Sequence, residues 1–453
     1  MKKKLFVAAA LLAAMGASGK GRDAAPKRIA DSDGIVRIEV LACEDTILRR
    51  GSPDTEDIKY GFEGGRVVKI GNTYHMITSE MVGDPYCVRM RTGYWTSENG
   101  TDWRRRATIR ESDADFTGAS QRAAIWGPMM VYHKKDKRWH LFYVCYKALP
   151  QQPDVNNLNF DGVIQHAVSD VKGIEGIGGP YTDREILMRY DENPDPWEGH
   201  QGVDSFFPYR IGKQWYALYG SATTQQMSTC RWMVGMARAD RIEGPWTRMS
   251  ELNPVGLESF AENPIVMRLE NGVYIAIVDG GPWVDKLGYT LSWDGVHWSK
   301  LRHIDIEPVV KKWWTALRTP ISLIKEKDGT YTMFFTAFKD YDGLSYGVVS
   351  KLKLKLTLSG GDEGARRYGT GALFGAGGIT YKYWTNEKNP LDHLVFDACR
   401  RRNCRRAGRS RRPIGAAAFR SIRRSRQRVP HQAVYGVEHR DYAAPDRPYP
   451  FRI

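Results

Sequence analysis

Five residues stand in the same local text along this chain: Glu63, Trp126, Asp204, Glu262 and Arg318. Each follows an apolar approach, precedes a Gly, Ser, Asn or Thr, and opens a strand–turn–strand stretch rich in aromatics. A position that only had to pack would hold Val, Ala or Gly. Three carboxylates, one Trp and one Arg at one register point instead to chemistry. Two carboxyl groups in different environments can protonate a leaving oxygen and activate a water, which is what cleavage of a glycosidic bond needs. A third carboxylate nearby raises the pKa of the acid by like-charge repulsion. The Arg fork suits hydroxyls or a carboxylate, and the Trp ring suits a sugar face.

The elements that must position these residues are hairpins. Phe62-Glu63-Gly64-Gly65 leads to GNTYHMITS, Ile125-Trp126-Gly127-Pro128 to DKRWHLFYV, and Val203-Asp204-Ser205-Phe206 to GKQWYALYG. Ala261-Glu262-Asn263-Pro264 leads to NGVYIAIVD, and Leu317-Arg318-Thr319-Pro320 to DGTYTMFFT. Paired runs of β-branched and aromatic residues around a Gly, Asn, Asp or Lys turn predict antiparallel pairs. A second signature closes several units: Ser97-Glu98-Asn99-Gly100 with Trp103, Ser292 with Asp294-Gly295 and Trp298, Gly179-Pro180-Tyr181, and Gly244-Pro245-Trp246. A turn ending on an aromatic suits the outer edge of a small sheet, the ring covering its open face. Units recurring every 56 to 78 residues are too long and uneven for a solenoid. They predict an all-β fold, a five-bladed β-propeller over residues 35–356, whose innermost strands bring the five residues together at one mouth.

These segments resemble the five-bladed furanosidase-type propellers, above all glycoside hydrolase family 43. The likeness covers roughly 300 residues. Gly202-Val203-Asp204-Ser205-Phe206-Phe207 with Gly212-Lys213-Gln214-Trp215-Tyr216 resembles the family's modulator segment. Ala261-Glu262-Asn263-Pro264 with Asn271-Gly272-Val273-Tyr274 resembles its acid segment, and Ile125-Trp126-Gly127-Pro128 its Trp-Ala-Pro blade start. The resemblance implies Glu262 as general acid, Asp204 as pKa modulator and an inverting reaction on arabinose-, xylose- or galactose-containing plant or algal glycans. Two positions depart from the pattern. Glu63 stands where the family has an Asp base, one methylene longer, with Asp57 as the spare candidate. Arg318 stands where many members place a His beside a central metal ion, so no tightly bound metal is expected; a solvated central calcium is the other option.

Each residue also has a plainer reading. Glu63 and Asp204 can cap backbone amides at turns, and Glu262 can pair with Arg318 in a structural ion pair. Trp126 serves as core and as pocket wall. Trp283, after Gly280-Gly281-Pro282, is a sugar platform or an exposed loop aromatic. His200 and Gln201, just upstream of Asp204, are candidate substrate contacts or ordinary polar residues. The rival from another class is a non-catalytic propeller that holds a glycan without breaking it.

Net charge gives no support to a nucleic-acid partner. The chain carries +15, but residues 357–453 hold 18 Arg and 2 Lys against 8 Asp and Glu, and Lys2, Lys3 and Lys4 supply the rest, so residues 5–356 are neutral overall. The N-terminus, a three-Lys head, an apolar run from Leu5 to Ala14 and a small-residue exit, predicts a signal peptide over residues 1–19 and a secreted or periplasmic protein. That run is too short for a permanent membrane anchor. Residues 357–453 form an Arg-rich tail with three readings: a disordered extension, a frameshifted translation, or a basic arm for anionic polysaccharide or a membrane surface. Cys43, Cys87, Cys145 and Cys230 have no zinc-ligand spacing and read as buried thiols with at most one bridge, while Cys399 and Cys404, five apart inside an Arg run, lack a second Cys or His pair to complete a metal site.

Overall fold

A computed structural model describes residues 34–150, 159–222, 232–255, 261–280 and 286–359, together with strands at 380–385 and 394–399. The predicted signal peptide, Trp283 and nearly all of the Arg-rich tail lie outside the described residues. The architecture is all-β, made of small antiparallel sheets, and the described residues include one 3-10 turn, Ile174–Gly178. No helix among them is long and apolar enough to cross a membrane.

The strands pair in consecutive meanders. β1 (Val36–Leu48) precedes β2 (Gly61–Ile70), β3 (Thr73–Gly83), β4 (Arg89–Ser97) and β5 (Arg104–Glu111). Next come β6 (Ala124–His133), β7 (Arg138–Ala148), β8 (Asn159–Ser169) and β9 (Tyr181–Met188), then β10 (Val203–Ile211), β11 (Gln214–Ala222), β12 (Trp232–Ala239) and β13 (Thr247–Arg248). A further meander is β14 (Ala261–Arg268), β15 (Tyr274–Gly280), β16 (Lys286–Ser292) and β17 (Arg302–His303). The last, β18 (Ala316–Lys325), β19 (Tyr331–Tyr341) and β20 (Leu344–Leu358), takes β1 as its outer strand, with Val36 opposite Leu358 and Val40 opposite Leu354. Segments that are far apart in sequence are thus tied in one sheet. In the tail, β21 (Thr380–Thr385) pairs antiparallel with β22 (Leu394–Cys399).

The β18–β20 and β2–β5 groups form one eight-stranded sheet through a single parallel pair, Gly61 opposite Gly347. A Cβ at Gly61 would collide with the Gly347 carbonyl oxygen, so only glycine permits that approach.

Two of the aromatics expected to cover an outer edge pack against a neighbouring meander instead. Trp103, Tyr181, Trp246 and Trp298 are all buried. Trp103 packs edge-on against Phe334 of β19, and Trp298 against Tyr209 of β10, so these rings fill the space between one meander and the next. A large ring stabilises more when both faces leave water than when it caps one open side. The turns that place Trp103 and Trp298 share one hydrogen-bond pattern. The Gly100 N–H donates to Ser97 Oγ (2.9 Å) and Ser97 Oγ–H to Asn99 Oδ1 (3.1 Å); Gly295, Ser292 and Asp294 repeat it at 2.9 and 2.9 Å. Cys43, Cys87 and Cys145 are free thiols.

Candidate active site

The shared register has a backbone cause. β2, β6, β10 and β14 each carry a bulge directly after the distinctive residue: pairing slips between Glu63 and Gly65, Trp126 and Met129, Asp204 and Phe207, and Glu262 and Ile265. The next residue is left-handed in all four, with φ of 69° at Gly64, 54° at Gly127, 55° at Ser205 and 54° at Asn263. A bulge leaves one residue unpaired and re-aims the neighbouring side chain. The Gly, Ser or Asn that follows is therefore a requirement of the bulge, since Gly and Asn enter the left-handed region most readily and a small Ser is accommodated there. β18 departs from this: its ladder breaks one residue earlier, after Leu317, and again between Pro320 and Ser322, so Arg318 sits inside the irregular stretch.

Four of the five residues converge on one ion cluster. Arg318 donates from Nε (2.9 Å) and Nη2 (2.7 Å) to the same oxygen, Oε1 of Glu63. Its Nη1 lies 3.2 Å from Glu262 Oε2 and 3.8 Å from Asp279 Oδ2. Glu63 thus holds one edge of the guanidinium, and Glu262 and Asp279 face the opposite side. Asp204 completes the group, accepting from the Ser205 N–H and from the Tyr146 hydroxyl. Trp126 is half-buried on β6, which packs beside β2, and its Nε1 is enclosed with no hydrogen-bond partner among the described residues.

Asp279 is absent from the sequence reading, yet it is fully buried and lies directly opposite Glu262 in the β14–β15 ladder. The corresponding partners of Glu63, Trp126 and Asp204 are Ser79, Val144 and Gly220. Like charges directly opposite destabilise a sheet. The signal was an acid ending the apolar run Tyr274–Val278, at the position that hairpin pairing sets across from Glu262. Asn263 links this pair to Asp204: its Nδ2 donates to Asp279 Oδ2 (3.1 Å), and its Oδ1 accepts from Ser205 Oγ (2.8 Å).

Burial dominates the electrostatics. It pushes the carboxyls of Asp204 and Asp279 up to about 6 and that of Glu262 well above the usual carboxylate range. For Glu262, Arg318 opposes the rise, and Asp279, Asp204 and Glu63 reinforce it, in that order of size. The expectation that like charge would supply the shift is therefore corrected. Removal from water comes first, and the largest like-charge contribution comes from Asp279.

A carboxyl raised in the folded state contributes stability below its unfolded pKa and loses it as pH climbs through its folded pKa. For Asp204 the window runs from the ordinary 3.8 to about 6. The difference corresponds to about 3 kcal/mol as an upper bound. We expect Asp204→Asn to gain on the wild type by up to about that amount between pH 4 and pH 8 in thermal melts. A stability difference that does not change with pH would contradict the buried charge.

The remaining predicted residues divide. His200 is exposed and packs beside Tyr190. Gln201 is buried; it donates to the Asn159 carbonyl (2.8 Å) and hydrogen-bonds Tyr146, the residue that holds Asp204. Its place is therefore behind the carboxylates. Asp57 is not part of the cluster: Arg91 binds it at 2.6 and 2.9 Å while also reaching the buried Glu80. A cavity of about 400 Å³ lies at the far ends of β2, β14 and β18, lined by Arg66, Lys69, Met267 and Glu326, away from the carboxylates.

No protein-family model and no curated protein matches this chain. Solved structures do. A structure of BT0996 in an RGII complex aligns over 72% of this chain and 93% of its own, with a TM-score of 0.54 at 13% identity. A structure described as a glycoside hydrolase aligns over 72% and 93%, with a TM-score of 0.53 at 13% identity. Zg3597, a family 117 glycoside hydrolase from the marine bacterium Zobellia galactanivorans, aligns over 71% and 90%, with a TM-score of 0.47 at 14% identity. The first two likenesses are of fold.

Proposed function

We propose that the chain is a glycoside hydrolase on a five-bladed β-propeller, acting on plant or algal oligo- or polysaccharides with inversion. The observation that carries this is the convergence of Glu63, Asp204, Glu262 and Asp279 from separate strands onto one largely buried cluster, with Arg318 as its one cation among the described residues. Fold likeness to a glycoside hydrolase supports it.

Glu262 is the general acid. Burial favours the protonated form, and among the described residues Oε2 makes no hydrogen bond, with Arg318 Nη1 3.2 Å away. Glu63 is the base. Arg318 grips only Oε1, and among the described residues Oε2 makes no hydrogen bond, which leaves that oxygen to polarise a water. Asp204 and Asp279 keep the Glu262 proton in place. The half-buried Trp126 ring supplies a wall for a sugar face. A central calcium fits poorly, since such an ion takes 6–8 oxygen ligands and the Glu63 and Glu262 oxygens already face a guanidinium. Arg318 is the resident cation in this reading. In this reading the protein is exported by residues 1–19.

The same grip of Arg318 on Glu63 favours a second reading, a glycan-binding propeller without turnover. Incubation with nitrophenyl pentosides, galactosides and algal oligosaccharides, followed by NMR of the first-formed anomer, separates the two. We expect hydrolysis with inverted configuration. Retention would overturn the role of Glu63, and saccharide binding without hydrolysis would establish the second reading.

A further inference from the structure

The β6–β7 hairpin carries a second cluster, remote in role from the carboxylates. His133 ends β6, Asp136 lies in the turn, and His140 is near the start of β7. In the ladder His133 faces Arg138 and Val131 faces His140, so the two imidazoles are diagonal neighbours on one face of the hairpin. Glu243 joins them from the turn between β12 and β13. One ligand atom from each of the four residues lies within 4.8 Å of the others.

The geometry points to a zinc site formed by His133, Asp136, His140 and Glu243, which staples the β6–β7 turn to the β12–β13 turn of the next sheet. Asp136 stands between the two rings, with Oδ2 2.8 Å from His140 Nε2 and Oδ1 3.3 Å from His133 Nδ1. Ligand atoms of a tetrahedral zinc ion, at about 2.0–2.1 Å from the metal, are about 3.3 Å from one another. His133 Nδ1 is buried, and among the described residues its 3.3 Å approach to Asp136 Oδ1 falls short of a well-formed hydrogen bond. His140 is held on its other side: its Nδ1 is 2.9 Å from Nε2 of the fully buried His166, the outer-shell contact that fixes tautomer and ring direction in metal-binding histidines. Two carboxylates and two neutral imidazoles balance a divalent charge. The competing cation is Arg241, 3.4 Å from Glu243 on an exposed turn. Two imidazole ligands select zinc over calcium or magnesium. Asp136 and Glu243 remain partly exposed, which gives the ion a route in from solvent.

The test is titration of the chelator-stripped full chain with zinc against a chromophoric competitor, with thermal melts in parallel. We expect one high-affinity zinc per chain, a higher melting temperature with zinc, and no comparable effect of calcium. In His140→Gln and in Glu243→Gln the affinity should fall at least tenfold and the thermal gain should disappear. Glu243 lies on a partly exposed turn, so Glu243→Gln carries the test if the core histidine variant does not fold. Glycosidase turnover of Glu243→Gln should be unchanged, which separates this site from the carboxylate cluster. No zinc binding, or binding of undiminished strength in Glu243→Gln, would overturn the proposal.

Discussion

Glu262→Gln is expected to lower kcat on unactivated oligosaccharides by roughly 10²–10⁴-fold, the usual contribution of a positioned general acid. The amide nearly matches the carboxylic acid in size and can donate a hydrogen bond, so KM should change little, but it cannot release a proton to the departing oxygen. The loss should therefore depend on the leaving group. Nitrophenyl glycosides, whose leaving oxygen needs less protonation, should lose far less than oligosaccharides. The wild-type pH profile should have its alkaline limb set by Glu262, whose carboxyl is held well above the usual range by burial. That limb should vanish in the variant. Wild-type turnover of oligosaccharides by the Glu262→Gln variant would remove Glu262 from the mechanism.

Arg318→Met should be among the most destabilising substitutions in the chain and should also abolish activity. The guanidinium faces Glu63, Glu262 and Asp279, and no other cation contacts these three among the described residues. Removing one partner of a buried ionic cluster leaves uncompensated charge, at a cost of about 3–5 kcal/mol. The cost should depend on pH, and the sign follows from the direction of the shifts. Arg318 opposes the rise of Glu262 and Asp279, so without it both carboxyls are pushed further up. Stability that such groups contribute when protonated is lost as pH rises through their folded pKa. The variant should therefore lie closest to wild type near pH 4 and furthest from it at pH 8. Arg318→Lys should recover part of the stability and little of the activity, because an ammonium cannot span both edges of the cluster. Equal destabilisation at both pH values would mean that Arg318 acts by packing alone.

Much of the site was legible in the sequence because β-hairpins have a strict period. Once Glu63, Trp126, Asp204 and Glu262 were aligned by their following strands, their common register followed; the Gly, Ser or Asn after each marked the place, but the bulge it serves came from the strand pairing. Asp279 was legible in principle, since hairpin pairing places it across from Glu262, but it ended an apolar strand and offered no motif of its own. The inward packing of Trp103 and Trp298 was not legible, since their partners lie on other meanders. Asp57 shows the same limit: six residues from Glu63 in sequence, it belongs to Arg91 in space.

The sequence by itself determined where the strands lie, which residues fall at the bulged position, and that the body of the chain has no net charge. These are local properties of alternation, turn chemistry and composition. Only the tertiary structure decided the partners of each charge: Arg318 grips Glu63 from 255 residues away, and Asp204 answers to Tyr146 and Ser205. It also decided that burial, more than neighbouring charge, raises the acids. The physical reason is that desolvation and ion pairing depend on distances through space, which the separate strands acquire only when their sheets pack together.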